Sequence, residues 1–439
     1  MSYYTLPKKI IDFEFDPVLI KSDKISIFIS HSLYNYLTTM CKQTNKIETS
    51  SMFFSTTEDE NALVFLNKII NPYEFIFTKV PNSKLSVSKL KPFSNLFYIL
   101  MEMTSIFNLL DGFADRDIKT YSYGFNSPSV VEFMNMLRED KKDINVHSSI
   151  NIEKIKKTGF EIDEYFRSTT YDFLYYELDN NCYFDKNYFV GMVYILCNLL
   201  CQQSANGVAI IKIYDIFYKP VVDILYILTS IYDKVYLIKP TVANVTTSER
   251  YIICKNFIFN SQKAKLYCMY FVNLDLLLKT VKEPEQISSI LKEEIPYYFV
   301  NKLEESNIII GHQQIEFIDQ LISLYKNKNR EDKIETLKKN NIQKCIQWCD
   351  KFKIPYNKFT DKVNIFLNGE KSFGDNSDNM SNIFLSTRRL QEECEEECEE
   401  ECEEECEEEC EEECENVVII DNNCVNNIDE MELSDSFTC

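Results

Sequence analysis

Short apolar runs alternate with helical segments through the middle of the chain. Asn95 to Met101 reads as a strand, Ile106 to Phe113 as a short helix, and Ile118 to Gly124 as a second strand. Ser127-Pro128 then offers an N-cap residue followed by proline at the first helical position, predicting a helix to about Leu137. Residues 138–165 are polar and read as a loop or insertion. Tyr171 to Leu178 is an aromatic-rich strand, and Lys186 to Gln202 a helix. The runs Val208 to Ile211, Val235 to Ile238 and Tyr251 to Cys254 follow as strands, with a helix between the first two. Strands apolar nearly throughout are buried on both faces, so this order predicts an α/β fold with a doubly wound, mostly parallel sheet.

The flanks differ. In residues 1–94, Lys24 to Ser30 alternates like a strand, Ala62 to Ile70 suits a helix, and residues 80–94, with Lys84, Lys89 and Lys91, read as a basic loop. From residue 284 charged segments carry apolar residues at helical spacing, first Ile287, Ile290 and Leu291, later Ile315, Phe317, Ile318, Leu321 and Leu324. The expected divisions are 1–94, an N-terminal α/β extension; 95–283, the central domain; 284–360, a helical extension; and 361–439, a linker and low-complexity tail.

Two apolar runs end in lysine, Lys212 and Lys239-Pro240, and Ser248-Glu249-Arg250-Tyr251 opens the last strand of the block. A lone lysine at a strand end ordinarily reaches for water. The ordered set, spread over about fifty residues, resembles the FtsJ-type RNA 2'-O-ribose methyltransferases in the divergent form carried by large DNA viruses. Where that family usually has Ser-Arg after Lys-Pro, this chain has Ala243-Asn244. The resemblance implies a Rossmann-like methyltransferase fold, S-adenosylmethionine as cofactor, and RNA as substrate, with the cap-proximal ribose of mRNA as the target. It also implies protein partners in a viral transcription or RNA-processing complex.

Transfer to a ribose 2'-hydroxyl needs a group to orient or accept the hydroxyl proton, and neighbours that set its pKa. The family uses a Lys-Asp-Lys-Glu tetrad. The resemblance puts its second lysine on Lys212 and its glutamate on Glu249. The aspartate position falls on Glu177 or Asp179, and the first lysine on Lys68 by position alone. The family's Pro-Gly-Gly-Phe cofactor turn falls on Glu102, Met103, Thr104 and Ser105, where both glycines and the proline are missing. Two readings follow: an active enzyme, or a non-catalytic descendant that binds RNA or joins a complex.

Composition changes this picture little. The net charge is −22, but residues 391–439 hold 23 acids and no Lys or Arg, leaving 46 acids against 47 bases in the rest. A neutral body neither requires nor excludes RNA. Cysteines 394, 398, 402, 406, 410 and 414 repeat within a glutamate run that predicts a disordered acidic tail. Most of the other cysteines sit in apolar segments, as small hydrophobes do. Without a signal-peptide core or an apolar run of membrane-spanning length, the chain reads as intracellular and cytoplasmic, in a host cytoplasm or virion if viral. The histidines His31, His147 and His312 are scattered, and no zinc-finger spacing or phosphate-binding glycine loop occurs, so no metal site is expected.

Overall fold

Tyr175 and Tyr176 point to opposite faces of one strand, and each is fully buried in a different hydrophobic layer. That alternation is the plan of the molecule: a central sheet with a helical layer on each side. The structure, a computed structural model, describes residues 2–8, 14–21, 26–54, 57–148, 169–178, 187–281, 285–327 and 331–359. Asp179, part of the 138–165 segment and the expected linker and tail lie outside these residues.

In chain order the elements are β1 (Ser2–Thr5), β2 (Phe15–Ile20), α1 (His31–Phe54), α2 (Thr57–Ile70), α3 (Leu96–Phe107), β3 (Lys119–Tyr123) and α4 (Ser127–Leu137). There follow β4 (Ile144–Ser148), β5 (Tyr171–Glu177), α5 (Asn187–Gln202), β6 (Gln203–Ile213), α6 (Lys219–Ile231), β7 (Tyr232–Lys239) and β8 (Arg250–Phe257). The last are α7 (Ser261–Thr280), β9 (Gln286–Leu291), α8 (Tyr297–Lys326) and α9 (Glu331–Phe352).

Seven strands form one sheet in the order β1-β7-β8-β6-β5-β3-β4. β4, β3, β5 and β6 run parallel to their neighbours, while β8 is antiparallel to both β6 and β7. β7 therefore points the same way as β6, and only β8 and the short edge strand β1 oppose the parallel set. This is the doubly wound, mostly parallel, Rossmann-like α/β fold expected. One face packs α5, α6 and α7 residues against Leu174, Tyr176, Ala209, Ile211 and Ile252. The other packs α3, α4 and α9 residues against Phe173, Tyr175, Val208, Ile210 and Ile253. α6 is buried nearly all round, which explains its almost unbroken apolar sequence.

Several local expectations give way. Asn95 to Met101 is helix, not strand: Leu96 to Thr104 of α3 is buried without a break. A short apolar run has no periodicity to separate a buried helix from a buried strand. The helix expected over Ile106 to Phe113 is the end of α3 and a separate single turn, Asp111–Phe113, divided by Asn108 in the left-handed conformation at φ 50°. Asn126, not Ser127, flanks α4, and its side chain makes no capping bond there. The supposed loop after 138 contains β4, which pairs with β3 at the sheet edge, where polar residues suffice. Ile287, Ile290 and Leu291 lie on β9, which pairs with β2 in a separate two-stranded sheet rather than forming a helix. Of Lys24 to Ser30, the described part makes one isolated bridge, Ile27 to Tyr218, instead of a strand. Cys345 and Cys349, four apart on α9, are fully buried in the α3/α4 layer with Trp348. Among the described residues no helix is long and apolar enough to cross a membrane.

Candidate functional site

The carboxyl ends of β5 and β6 stand side by side, and their register pairs Glu177 with Lys212. On the other side of β6 the antiparallel register pairs Lys212 with Tyr251. Glu177 continues the Phe173, Tyr175 face of β5, and Lys212 the Val208, Ile210 face of β6, so strand alternation turns both over the α3/α4 layer. Glu249 lies two residues before Tyr251 and shares its face. Carboxyl ends of parallel strands are where open α/β sheets hold ligands.

Lys212 Nζ donates to Glu177 Oε1 at 2.7 Å and lies 3.8 Å from Glu249 Oε1. The side chains of Glu177, Lys212 and Glu249 are 5, 11 and 14% exposed, so the ion pairs are only weakly screened. Burial alone would lower the Lys212 pKa, but Glu249 and Glu177 outweigh it and hold the ammonium above the ordinary lysine range. Three tyrosines adjoin the ion pairs, the Tyr214 ring centroid lying 5.7 Å from Lys212 Nζ. Tyr251 donates its hydroxyl to Glu249 Oε1 at 2.5 Å, and Tyr175 to Glu177 Oε2 at 3.3 Å. Burial and then the adjacent glutamates push both phenols upward, so both remain donors.

The turn from β3 into α4 closes the cluster from the side. Asn126 Nδ2 donates to both Glu177 oxygens, at 2.9 and 3.0 Å. Gly124 adopts φ 126°, and a Cβ built there would lie 2.7 Å from the Glu177 carbonyl oxygen. Only glycine fits so close an approach at such a φ. Ser127, the first residue of α4, has a buried hydroxyl oxygen with no hydrogen-bond partner among the described residues. This Gly124-Phe125-Asn126-Ser127 turn is the strand-to-helix junction that sequence reasoning sought at 102–105.

Glu102, Met103, Thr104 and Ser105 instead lie inside α3. The Glu102 carboxylate is buried and accepts from the backbone N–H groups of Thr241 and Val242, 2.9 and 3.3 Å from Oε2, and from the Thr241 hydroxyl. It thereby anchors the start of the 240–248 loop that leads to Glu249. Lys239 anchors the rest, donating to the Asn244 and Thr247 carbonyls at 2.6 and 2.9 Å. Burial lowers the Lys239 pKa to about 7, with Glu249 opposing the shift and Arg250 and Lys212 adding to it. Lys68, in the last turn of α2, acts electrostatically on Glu74 and is not among the groups around Lys212.

Of the residues singled out from sequence, the structure therefore brings together Lys212, Glu177 and Glu249. Sequence reasoning missed the roles of Asn126, Tyr175, Tyr214 and Tyr251. The three tyrosines were findable, because each is two positions from a charged member of the cluster. Asn126 had no such signal, since its role depends on the turn.

The sheet order and this edge cluster define a doubly wound α/β protein with a buried ionic cluster at the carboxyl ends of its parallel strands. A stretch of 145 residues is 25% identical to the inactive cap-specific mRNA (nucleoside-2'-O-)-methyltransferase 1B of Caenorhabditis briggsae, covering 31% of this chain and 17% of that protein. A similar stretch of 148 residues is 27% identical to the cap-specific mRNA (nucleoside-2'-O-)-methyltransferase 1A of the same organism, with the same coverage. The chain thus spans about a sixth of the length of these distant curated relatives. No family model matches. Among solved structures, a ribosomal RNA methyltransferase of Plasmodium falciparum overlays 38% of this chain and 99% of its own at 16% identity and TM-score 0.29. Human methyltransferase-like protein 13 in complex with SAH overlays 43% and 93% at 10% identity and TM-score 0.25. Both overlays are loose, and the fold rests on the strand order itself.

Proposed function

We propose that the chain is an S-adenosylmethionine-dependent RNA 2'-O-ribose methyltransferase with Lys212 at the acceptor hydroxyl. The observation that carries this reading is the Lys212 ammonium set between Glu177 and Glu249 at the carboxyl edge of a doubly wound sheet. The cap-specific names of the two distant relatives make the 5'-capped end of mRNA the first substrate to try. A viral transcription or RNA-processing complex is the setting the sequence resemblance suggests.

Two features of the β3–α4 turn support it as the cofactor's seat. Gly124 brings the backbone close, and the orphaned Ser127 hydroxyl offers an unspent hydrogen-bonding group at a helix N-terminus. Gly124, Asn126 and Ser127 would hold the cofactor. When bound, S-adenosylmethionine supplies an electrophilic methyl on a positively charged sulfur.

The chain's own residues handle the hydroxyl. Lys212, held as an ammonium, donates to the 2'-oxygen, orients it, and stabilises negative charge that develops there. To take the hydroxyl proton as a base it must first release one of its own, and Glu177 Oε1 stands in reach at 2.7 Å. Glu249, fixed by the Tyr251 hydroxyl, keeps the ammonium aimed from the other side.

A second reading, a non-catalytic RNA-binding or complex-forming subunit, is favoured by one observation: Gly124 and Asn126 pack directly on Glu177. Methyl transfer to capped and uncapped RNA, followed with labelled cofactor, separates the two. The enzyme reading expects transfer that falls at least about a hundredfold in Lys212→Ala. No calorimetric heat with S-adenosylmethionine at millimolar concentration, and no transfer, would sink the enzyme reading.

A further inference from the structure

Two phenylalanines stand in water, one of them on the β3–α4 turn. Phe125 is 71% exposed and Phe93 49%, and their ring centroids lie 6.1 Å apart with planes tilted by 52°. Phe125 occupies the tip of the turn closed by the Ser127 N–H on the Gly124 carbonyl at 3.2 Å. Its chain neighbour Asn126 is the residue that grips Glu177. One member of the aromatic pair is therefore a single residue away from a side chain of the candidate site.

Phe93 comes from the basic loop singled out in the sequence. Along it Lys89, Lys91 and Phe93 are exposed while Ser88 is buried and Leu90 half-buried, so cation, cation and ring share the outer side. The loop backbone is clamped at several points. Lys89 N–H donates to the Pro355 carbonyl at 3.0 Å, and the Tyr98 hydroxyl to the Leu90 carbonyl at 2.9 Å. Phe93 N–H donates to Glu132 on α4 at 2.8 Å, and Ser94 N–H to the Ser129 hydroxyl at 2.8 Å. A fixed backbone thus presents two lysines and a ring that the fold does not bury.

We propose that Phe93 and Phe125 form a stacking platform for a nucleobase of single-stranded RNA, with Lys89 and Lys91 taking the adjoining phosphates. This rests on the RNA reading above and adds the surface that seats the strand. Aromatic faces flanked by cations are how proteins hold single strands without reading sequence, because every base has a π face and every link a charge. Double-stranded RNA is held by groove shape instead, and offers no open base face to the pair.

Fluorescence anisotropy of the full chain with a labelled single-stranded RNA of about ten nucleotides tests this. The double variant Phe93→Leu, Phe125→Leu keeps apolar bulk and removes the rings; its RNA affinity is expected to fall about tenfold or more, with Phe125→Trp binding as well as wild type. Lys89→Gln with Lys91→Gln is expected to flatten the dependence of log affinity on log salt by about one unit or slightly more. Undiminished RNA affinity in the leucine pair overturns the platform. So does weakened S-adenosylmethionine binding with RNA affinity intact, which would assign the rings to the cofactor's adenine. A wild-type chain that binds RNA through the rings but transfers no methyl sinks the enzyme reading and leaves the platform standing. Transfer whose KM for RNA ignores the leucine pair sinks the platform alone.

Discussion

Lys212 and Glu177 are register partners on adjacent parallel strands, and their charged ends meet at 2.7 Å. The contact needs no loop to adjust; the sheet ladder makes it. Replacing Lys212 by methionine leaves Glu177 and Glu249 buried without their cation, at a cost of about 3–5 kcal/mol. Urea denaturation checks this, and the double variant Lys212→Met, Glu177→Gln is expected to recover part of the loss. The Lys212 pKa is raised on folding, so its contribution is complete below the unfolded value of about 10.4 and disappears as pH rises through the folded value. The stability gap between wild type and Lys212→Met should therefore stay constant from about pH 7 to 9.

Lys239 carries the opposite sign. Its pKa falls from 10.5 to about 7 on folding, so between those values the unfolded chain binds a proton that the folded one lacks. Stability then rises with pH across that window, by at most about 1.4 kcal/mol per unit. Subtracting the Lys239→Met profile from wild type isolates the slope. A flat difference from pH 7.5 to 9.5 would mean that the Asn244 and Thr247 carbonyls keep the ammonium charged.

Gly124→Ala combines a positive φ with a 2.7 Å approach to the Glu177 carbonyl oxygen. Strain and overlap together should cost about 2–4 kcal/mol. Gly112→Ala is the control: a Cβ there meets nothing within 4 Å, and stability should change by less than about 0.5 kcal/mol. Equal denaturation midpoints for the two variants would contradict the tight packing of the β3–α4 turn.

Glu102→Gln tests the anchor under the 240–248 loop. The carboxylate accepts from two backbone N–H groups and a hydroxyl, and an amide in its place aims a donor at one of them. A loss of about 1–3 kcal/mol is expected, seen as a lower urea midpoint. Faster hydrogen exchange at the Thr241 and Val242 amides would locate the loosening in the loop.

The central sheet was legible because β5, β6, β7 and β8 are apolar strands with polar punctuation, and burial on both faces writes itself as unbroken hydrophobicity. The same rule misled at α3, whose residues from Leu96 to Thr104 are buried all round and carry no helical period. Taking α3 for the first strand put the expected cofactor turn at Glu102, inside what is a helix; the glycine turn at the end of β3 is the place proposed for it instead. β9 was misread because Ile287, Ile290 and Leu291 stand at helical spacing, whereas β9 buries them on both of its faces. Lys212 and Glu249 could be located because strand ends are marked in sequence. Asn126 and the loop anchor Glu102 could not, since both act across distances that only the folded chain closes.

The pairing of β6 with its neighbours carries a cost for sequence change. Deleting one residue between Val208 and Ile211 would send Lys212 to the side now lined by Ile211 and Ile213, and bring an isoleucine beneath Glu177. Ionic edge and oily interior are written in the same two-residue rhythm, so this strand can lengthen or shorten only in even steps.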